Sequence, residues 1–323
     1  MALILREKDV RSLLSMSETI SVLEQAFIEL AAEAAVNNPR TRIIMPQGVL
    51  HILAAAVPAL GAIGVKTYTS FVEGFRYVVL LFSTENGQLL ALIEADWLGS
   101  MRTGGTSALA TQYLARHDAS TVGLIGAGNQ AVTQLMGIRE VRSLQTVRVY
   151  SRHERERVLF CDGMRKMLDL EVIPVATARE AVETADIVIT ATNSEDPVFY
   201  GEWLRPGCHI NAIGSNWSNR RELDHAALER CTLIVTDSRE QAEMEAGDLL
   251  IPAEKGLFQW ENVIELADIV AKNEPGRTSA DDITLYKGLG IGLEDIAVAA
   301  HVYSLAVQQH YGEQLDLLRD VPL

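Results

Sequence analysis

The sequence predicts an α/β protein in which a doubly wound parallel sheet is joined to a mainly antiparallel α+β domain. From Thr121 on, short aliphatic runs alternate with helical stretches, the pattern of a parallel sheet covered on both faces. Up to Glu94, strand-like runs follow one another instead, as in an antiparallel sheet. A chain of 323 residues with 48% hydrophobic content can bury two cores of this kind.

Taken in order, residues 17–35 carry Ile20, Leu23, Phe27 and Leu30 at helical spacing, with Ser17 as the expected N-cap. Strands are expected at 42–45, 50–56, 64–68, 77–83 and 89–94. The Asn86-Gly87 dipeptide between the last two has hairpin chemistry. A helix over 103–115 bridges to the second domain. There, strands are expected at 121–125, 146–150, 171–176, 186–192, 209–213 and 233–237, with amphipathic stretches such as 178–184 and 224–229 between them. A long helix over 293–309 returns to the first domain. The expected division is therefore residues 1–116, together with 291–323, as a substrate-binding and dimerisation domain, and 117–290 as the nucleotide domain.

Composition restricts the function. Lys plus Arg total 28 against 43 Asp plus Glu, a formal net charge of −15. This excludes a general nucleic-acid or membrane-surface role and favours a small-molecule site. No apolar run reaches the ~18 residues of a membrane span, and the N-terminus lacks the basic start and apolar core of a signal peptide. Cys161, Cys208 and Cys231 are scattered without metal spacing, as expected of idle thiols in a reducing cytoplasm. No metal is expected.

The most specific local signal is Gly126-x-Gly128-x-x-Ala131, set between a strand and a helix. Gly126 permits the tight turn, and Gly128 lets backbone N–H groups of Asn129 and Gln130 approach a pyrophosphate. Ala131 lets the helix pack close to the strand. The motif makes this the Rossmann-type, dinucleotide-binding domain. The second strand ends in Ser151-Arg152, with no carboxylate before Glu154. A 2′-phosphate suits this cationic, hydroxyl-bearing turn, so NADP(H) is expected, with NAD(H) the alternative. A solvated helix-start cluster of mixed charges would read the same way.

Several separated motifs then resemble one family over nearly the whole chain. They are Pro39-Arg40, Met45-Pro46, Gly64-Val65-Lys66, Met101-Arg102-Thr103-Gly104-Gly105-Thr106-Ser107-Ala108, the dinucleotide turn, Asn211-Ala212-Ile213-Gly214-Ser215, and residues 282–290 with Glu294-Asp295. Together they resemble the ornithine cyclodeaminase and μ-crystallin family. The resemblance implies an NAD(P)-dependent oxidoreductase interconverting an α-imino acid, or a keto acid plus amine, and an L-amino acid. It also implies a homodimer through the first domain.

By the same resemblance, Arg40 and Lys66 meet the substrate carboxylate. Lys66 stands inside an apolar run, where a charge needs a counter-anion. Arg42 shares a strand face with Arg40; it binds a second carboxylate, tilting the substrate towards an acidic one, or faces solvent. Arg102 and Thr103 are expected at the cofactor phosphates, at a helix start. Thr192, Ala212, Gly214 and Ser215 follow the fourth and fifth strands at the cofactor crevice, with Lys287 assigned there too.

The chain departs from the cyclodeaminases at Asn216, where they carry an Asp that exchanges protons with the substrate amine. An amide cannot do this, although it can orient the substrate nitrogen. A dehydrogenase or imine reductase is therefore expected, acting through Lys66 and Asn216. A cyclodeaminase and a non-catalytic ligand-holding protein of the crystallin type are the alternatives.

Overall fold

The computed structural model describes residues 2–315. Residues 316–323, the end of the segment assigned to the first domain, lie outside the described residues. The chain divides into two compact units: residues up to Arg102 together with those from Gly290 on, and Thr103–Leu289. The first unit opens with β1 (Ala2–Leu5), α1 (Glu7–Leu13) and α2 (Met16–Ala31). α2 buries Ile20, Leu23 and Phe27 on one stripe, but its cap is Ser15 rather than Ser17. The Ser15 hydroxyl accepts from Glu18 N at 3.3 Å and bonds the Glu18 carboxylate as well. Ser17 has only Ile20 at the corresponding place, so it loses the competition.

An antiparallel meander follows: β2 (Val36–Met45), β3 (Gly48–Val57), β4 (Ala62–Phe71), β5 (Gly74–Ser83) and β6 (Leu89–Glu94). β2 begins well before residue 42, since at the sheet edge it can contain Pro39. A register shift between Asn38 and Thr41 accommodates Pro39 there. α3 (Asp96–Leu114) also begins earlier than expected, and the division between the units falls inside it. The expected helix already included Gly104 and Gly105. In the fold, a Cβ on Gly104 would come within 2.2 Å of the Thr133 carbonyl, so that glycine permits close helix packing. Arg102 and Thr103 consequently lie in mid-helix, not at a helix start.

The second unit contains β7 (Thr121–Ile125), α4 (Asn129–Val141), β8 (Thr146–Tyr150), α5 (Glu154–Leu168), β9 (Glu171–Pro174), α6 (Ala178–Val182) and β10 (Ile187–Thr190). It continues with β11 (His209–Ala212), α7 (His225–Arg230), β12 (Leu233–Thr236), α8 (Arg239–Glu245), α9 (Gly247–Ala253), β13 (Val263–Glu265), α10 (Leu266–Val270) and β14 (Thr284–Lys287). All eight strands are parallel, in the order β13-β12-β14-β11-β10-β7-β8-β9. Two apolar cores cover the sheet, one around Leu135, Ile138 and Met164, the other around Val188, Ile210 and Leu249. The order reverses at β7, and ligands of such sheets lie outside the carboxyl ends at that point. β14, between β11 and β12, is not legible as a strand because its short run ends in a buried charge, Lys287.

α11 (Gly292–Gln309) and β15 (Glu313–Leu315) belong to the first unit. α11 packs across β3 and β4, while β15 pairs with β1 and β1 with β6. The seven strands run β15-β1-β6-β5-β4-β3-β2. Among the described residues no helix is long and apolar enough to cross a membrane. No group of three His, Cys, Asp or Glu among them is arranged to hold a metal ion.

Candidate active site

In the first unit the inward face of the meander meets the N-terminus of α11. Lys66, on β4, is 2% exposed, and its Nζ lies 2.8 Å from Asp295 Oδ1. The sequence demanded a counter-anion for this lysine; the fold supplies one from α11. Arg102 reaches Glu294 Oε2 at 2.6 Å through Nη1 and Asp295 Oδ1 at 3.0 Å through Nε. Both carboxylates occupy the first turn of α11, where the helix dipole favours negative charge. Arg40 Nη2 donates to the Gly290 carbonyl at 2.7 Å. Gly290 has φ +74°, and a Cβ there would strike the Arg102 guanidinium at 2.2 Å, so glycine alone fits between the two arginines.

Three buried cations thus face two carboxylates. Burial, then Arg102 and Arg40, hold the Lys66 ammonium down to about 8, against the opposing pull of Asp295. Beside it runs a cross-strand row of Arg42, His51, Tyr68 and Tyr77. The Lys66 Nζ is 5.7 Å from the ring centres of both Tyr68 and Tyr77, and His51 stacks on Tyr68 at 4.1 Å. Burial first, then Arg42, Arg40 and Lys66, push His51 down to about 3, so the imidazole is neutral at physiological pH. Burial raises the Tyr77 phenol above its ordinary range, with Tyr68 and Asp96 adding to it. Arg42, at the β2 end of this row, is half-buried.

In the second unit, Gly126 ends β7 with φ +110°, and a Cβ there would meet the Ala191 carbonyl at 2.4 Å. Gly128 caps α4, and a Cβ there would meet nothing within 4 Å. Open space over a helix N-terminus is what a phosphate-bearing ligand requires, so this turn fits a dinucleotide. Asn129 and Gln130 form the first turn of α4, and Ala131 is fully buried beneath it. Ser151 and Arg152 follow β8, with Arg152 exposed. Sequence reasoning missed Arg157, which is buried behind this turn. It donates to the Ser151 carbonyl at 2.6 Å and lies 5.6 Å from the Tyr150 ring centre.

Thr192 and Ala212–Ser215 stand at the carboxyl ends of β10 and β11. Asn216 is half-buried in the loop after them. Lys287, expected at the cofactor, is fully buried, 2.9 Å from Asp248 Oδ2 and 2.6 Å from the Ser215 carbonyl. Glu222 and Asp248 were given no role in sequence. Glu294 and Asp295 were recognised only as motif residues. A buried lysine announces that an acid is needed, but not which of the 43.

The ornithine cyclodeaminase/mu-crystallin family model matches residues 1–310. A Delta(1)-pyrroline-2-carboxylate reductase of Bacillus cereus is 34% identical over 324 residues, spanning 97% of this chain and 99% of its own. The structure of the Thermococcus litoralis Delta(1)-pyrroline-2-carboxylate reductase in complex with NADH and L-proline is similar at a TM-score of 0.94. It is 36% identical and covers 97% of this chain and 100% of that one. An archaeal alanine dehydrogenase dimer with bound NAD has a TM-score of 0.93 at 31% identity, covering 98% and 99% of the two chains. With the family model matched over residues 1–310 and relatives above 30% identity over nearly the whole length, the chain belongs to the ornithine cyclodeaminase/mu-crystallin family.

Proposed function

We propose that the protein is an NAD(P)-dependent oxidoreductase interconverting an α-imino acid and its L-amino acid, with a cyclic imine of the pyrroline-2-carboxylate type as substrate. The observation that carries this is the buried group of Arg40, Lys66 and Arg102 beside Glu294 and Asp295. A substrate carboxylate suits this concentration of cationic donors. Arg40 presents a planar fork to that carboxylate and Lys66 a point charge. Tyr68, Tyr77 and neutral His51 offer a flat wall that suits a small ring. The row contains no carboxylate to receive a second amine. Arg42 beside His51 favours a second reading, an acidic imino acid.

The nicotinamide, when bound, donates or accepts the hydride. The residues proposed to hold the dinucleotide are Gly126, Gly128, Asn129 and Gln130 at the turn, Thr192, Ala212, Gly214 and Ser215 at the strand ends, and Arg102 and Thr103 in α3. Lys287 contributes from behind, by holding the Ser215 carbonyl. Asn216 orients the substrate nitrogen. Exposed Arg152, with Ser151 and no acid at the end of β8, supports NADP(H) over NAD(H). The buried free thiols Cys161 and Cys208 support a reducing compartment, the cytoplasm.

The test is a panel of pyrroline-2-carboxylate, iminosuccinate, and α-keto acids with ammonia or amines, followed by NADPH and NADH oxidation. The cyclic imine with NADPH is expected to give the highest kcat/KM. Arg152→Asp is expected to weaken NADPH binding by roughly one to two decades while sparing NADH, the worth of a charge-assisted hydrogen bond. Turnover of no imine in the panel would overturn the assignment, and better binding of NADH by the unaltered protein would overturn the cofactor preference.

A homodimer through the first unit accords with the edge position of β2, which exposes Val36, Ile43, Ile44 and Met45, and with the exposure of Val72 and Phe75 at the β4–β5 hairpin of the same sheet. An apolar, unpaired edge of this kind is a pairing surface. Light scattering behind size exclusion is expected to give twice the chain mass, and Ile44→Glu with Val72→Glu the single mass. A monomeric unaltered protein would remove the proposal.

A further inference from the structure

In the second unit one buried carboxylate ties together the loops after β10 and β11. Glu222 is fully buried in the segment between β11 and α7. Its Oε1 accepts from Thr192 N at 2.7 Å and Thr192 Oγ1 at 2.8 Å. Its Oε2 accepts from Thr190 Oγ1 and Gly214 N, both at 2.8 Å. Each oxygen therefore receives two donors. The loops touch where Glu222 joins them: a Cβ on Gly214 would fall 2.3 Å from the Thr192 carbonyl and 2.4 Å from Glu222 Oε1.

A second tier stands behind it. Asp248, at the start of α9, accepts from Glu222 N at 2.6 Å and Leu223 N at 2.9 Å, and pairs with Lys287 at 2.9 Å. Lys287 in turn holds the Ser215 carbonyl at 2.6 Å. Burial and Asp248 push the Glu222 carboxyl upward, opposed by Lys287 and the threonine hydroxyls. One backbone N–H, which can only donate, stands at each oxygen (Thr192 N and Gly214 N) and favours the ionised form. A core strand needs no such network merely to pair. This one holds the last residue of β10, Thr190, and the segments that leave β10 and β11.

We propose that Glu222 is the positioning residue for the nicotinamide half of the dinucleotide site, fixing the Thr192 and Gly214 segments through its two oxygens. The assignment rests on the dinucleotide site proposed above. The sheet order explains why only one half is affected. β8, whose end reads the adenosine ribose, lies on one side of β7, while β10 and β11 lie on the other. A change at Glu222 is felt on the second side alone.

The test compares two ligands by calorimetry, whole NADPH and adenosine 2′,5′-bisphosphate, which lacks the nicotinamide half. Glu222→Gln replaces one oxygen by a donor, leaving two donors without an acceptor. It is expected to weaken NADPH roughly ten- to a hundredfold while leaving the adenosine fragment unchanged. Thr190→Val removes one of the four donors without altering a charge, and decides the matter if the first variant does not fold. It is expected to show the same selectivity at roughly three- to tenfold. Equal loss of both ligands, or loss of neither, in the variant that folds overturns the role of Glu222. Binding of neither ligand, nor of NADH, by the unaltered protein removes the dinucleotide site itself, a different failure.

Discussion

Lys66→Met is expected to lower kcat/KM for imine reduction by at least one to two decades while leaving dinucleotide affinity unchanged. The loss of a charge-assisted hydrogen bond to the substrate carboxylate accounts for roughly 1.5–3 kcal/mol, which is that range in rate. The substitution also leaves the Asp295 carboxylate, 0% exposed, without its ammonium partner at 2.8 Å. Asp295 keeps Arg102 Nε at 3.0 Å, so the cost stays below the about 3–5 kcal/mol of a buried charge left with no partner, and the melting temperature should fall by the remainder. Dinucleotide titration of the folded variant separates the two effects, because Lys66 is not among the groups proposed to hold that ligand and Arg102 keeps both its carboxylate partners. Full catalytic efficiency in the variant would return Lys66 to a structural role.

The same residue carries a pH dependence. Its pKa is depressed from 10.5 to about 8, first by burial and then by Arg102. The ammonium needed for carboxylate binding is therefore lost as pH rises through about 8, and kcat/KM is expected to fall on that limb. The limb should be absent in Lys66→Met. For stability the sign is opposite. Between about 8 and 10.5 the unfolded chain keeps a proton that the folded chain has released, so the Lys66 contribution to stability rises with pH across that window.

What was legible in the sequence depended on how local its cause was. Gly126, Gly128 and Ala131 could be read because each answers a steric demand within a few residues of itself. The alternation after Thr121 likewise revealed a parallel sheet, since strand and helix periodicities are local. Lys66 announced a counter-anion, but Asp295 lies 229 residues away and only folding identifies it. The start of α3 was hidden because Gly99, ahead of the expected helix, looks like a breaker. The neighbour it makes room for, the Lys66 ammonium 3.2 Å from a Cβ on Gly99, lies in another element. β14 was hidden for a related cause: a lysine at a strand end reads as solvated until Asp248 is placed beside it.

L-Ornithine supplied with an oxidised nicotinamide cofactor is expected to yield proline at a rate lower than imine reduction by roughly 10²–10⁴-fold, the usual worth of a positioned general acid–base group. Cyclodeamination requires repeated proton transfer at the substrate nitrogen, and at the position that resembles the cyclodeaminase Asp this chain has Asn216. No neighbouring acid of that loop replaces it. Glu222 is held by four donors, and Asp248 by two backbone N–H groups and Lys287, so neither is placed to exchange protons with a ligand. Reduction of an imine that arrives protonated makes no such demand, because hydride addition itself neutralises the positive centre. Assaying ammonia and proline release beside NAD(P)H oxidation with pyrroline-2-carboxylate measures both reactions on one preparation. Asn216→Asp is expected to raise the ornithine reaction. Rapid release of proline and ammonia by the unaltered chain would show that an amide at 216 suffices, and would place the protein with the cyclodeaminases.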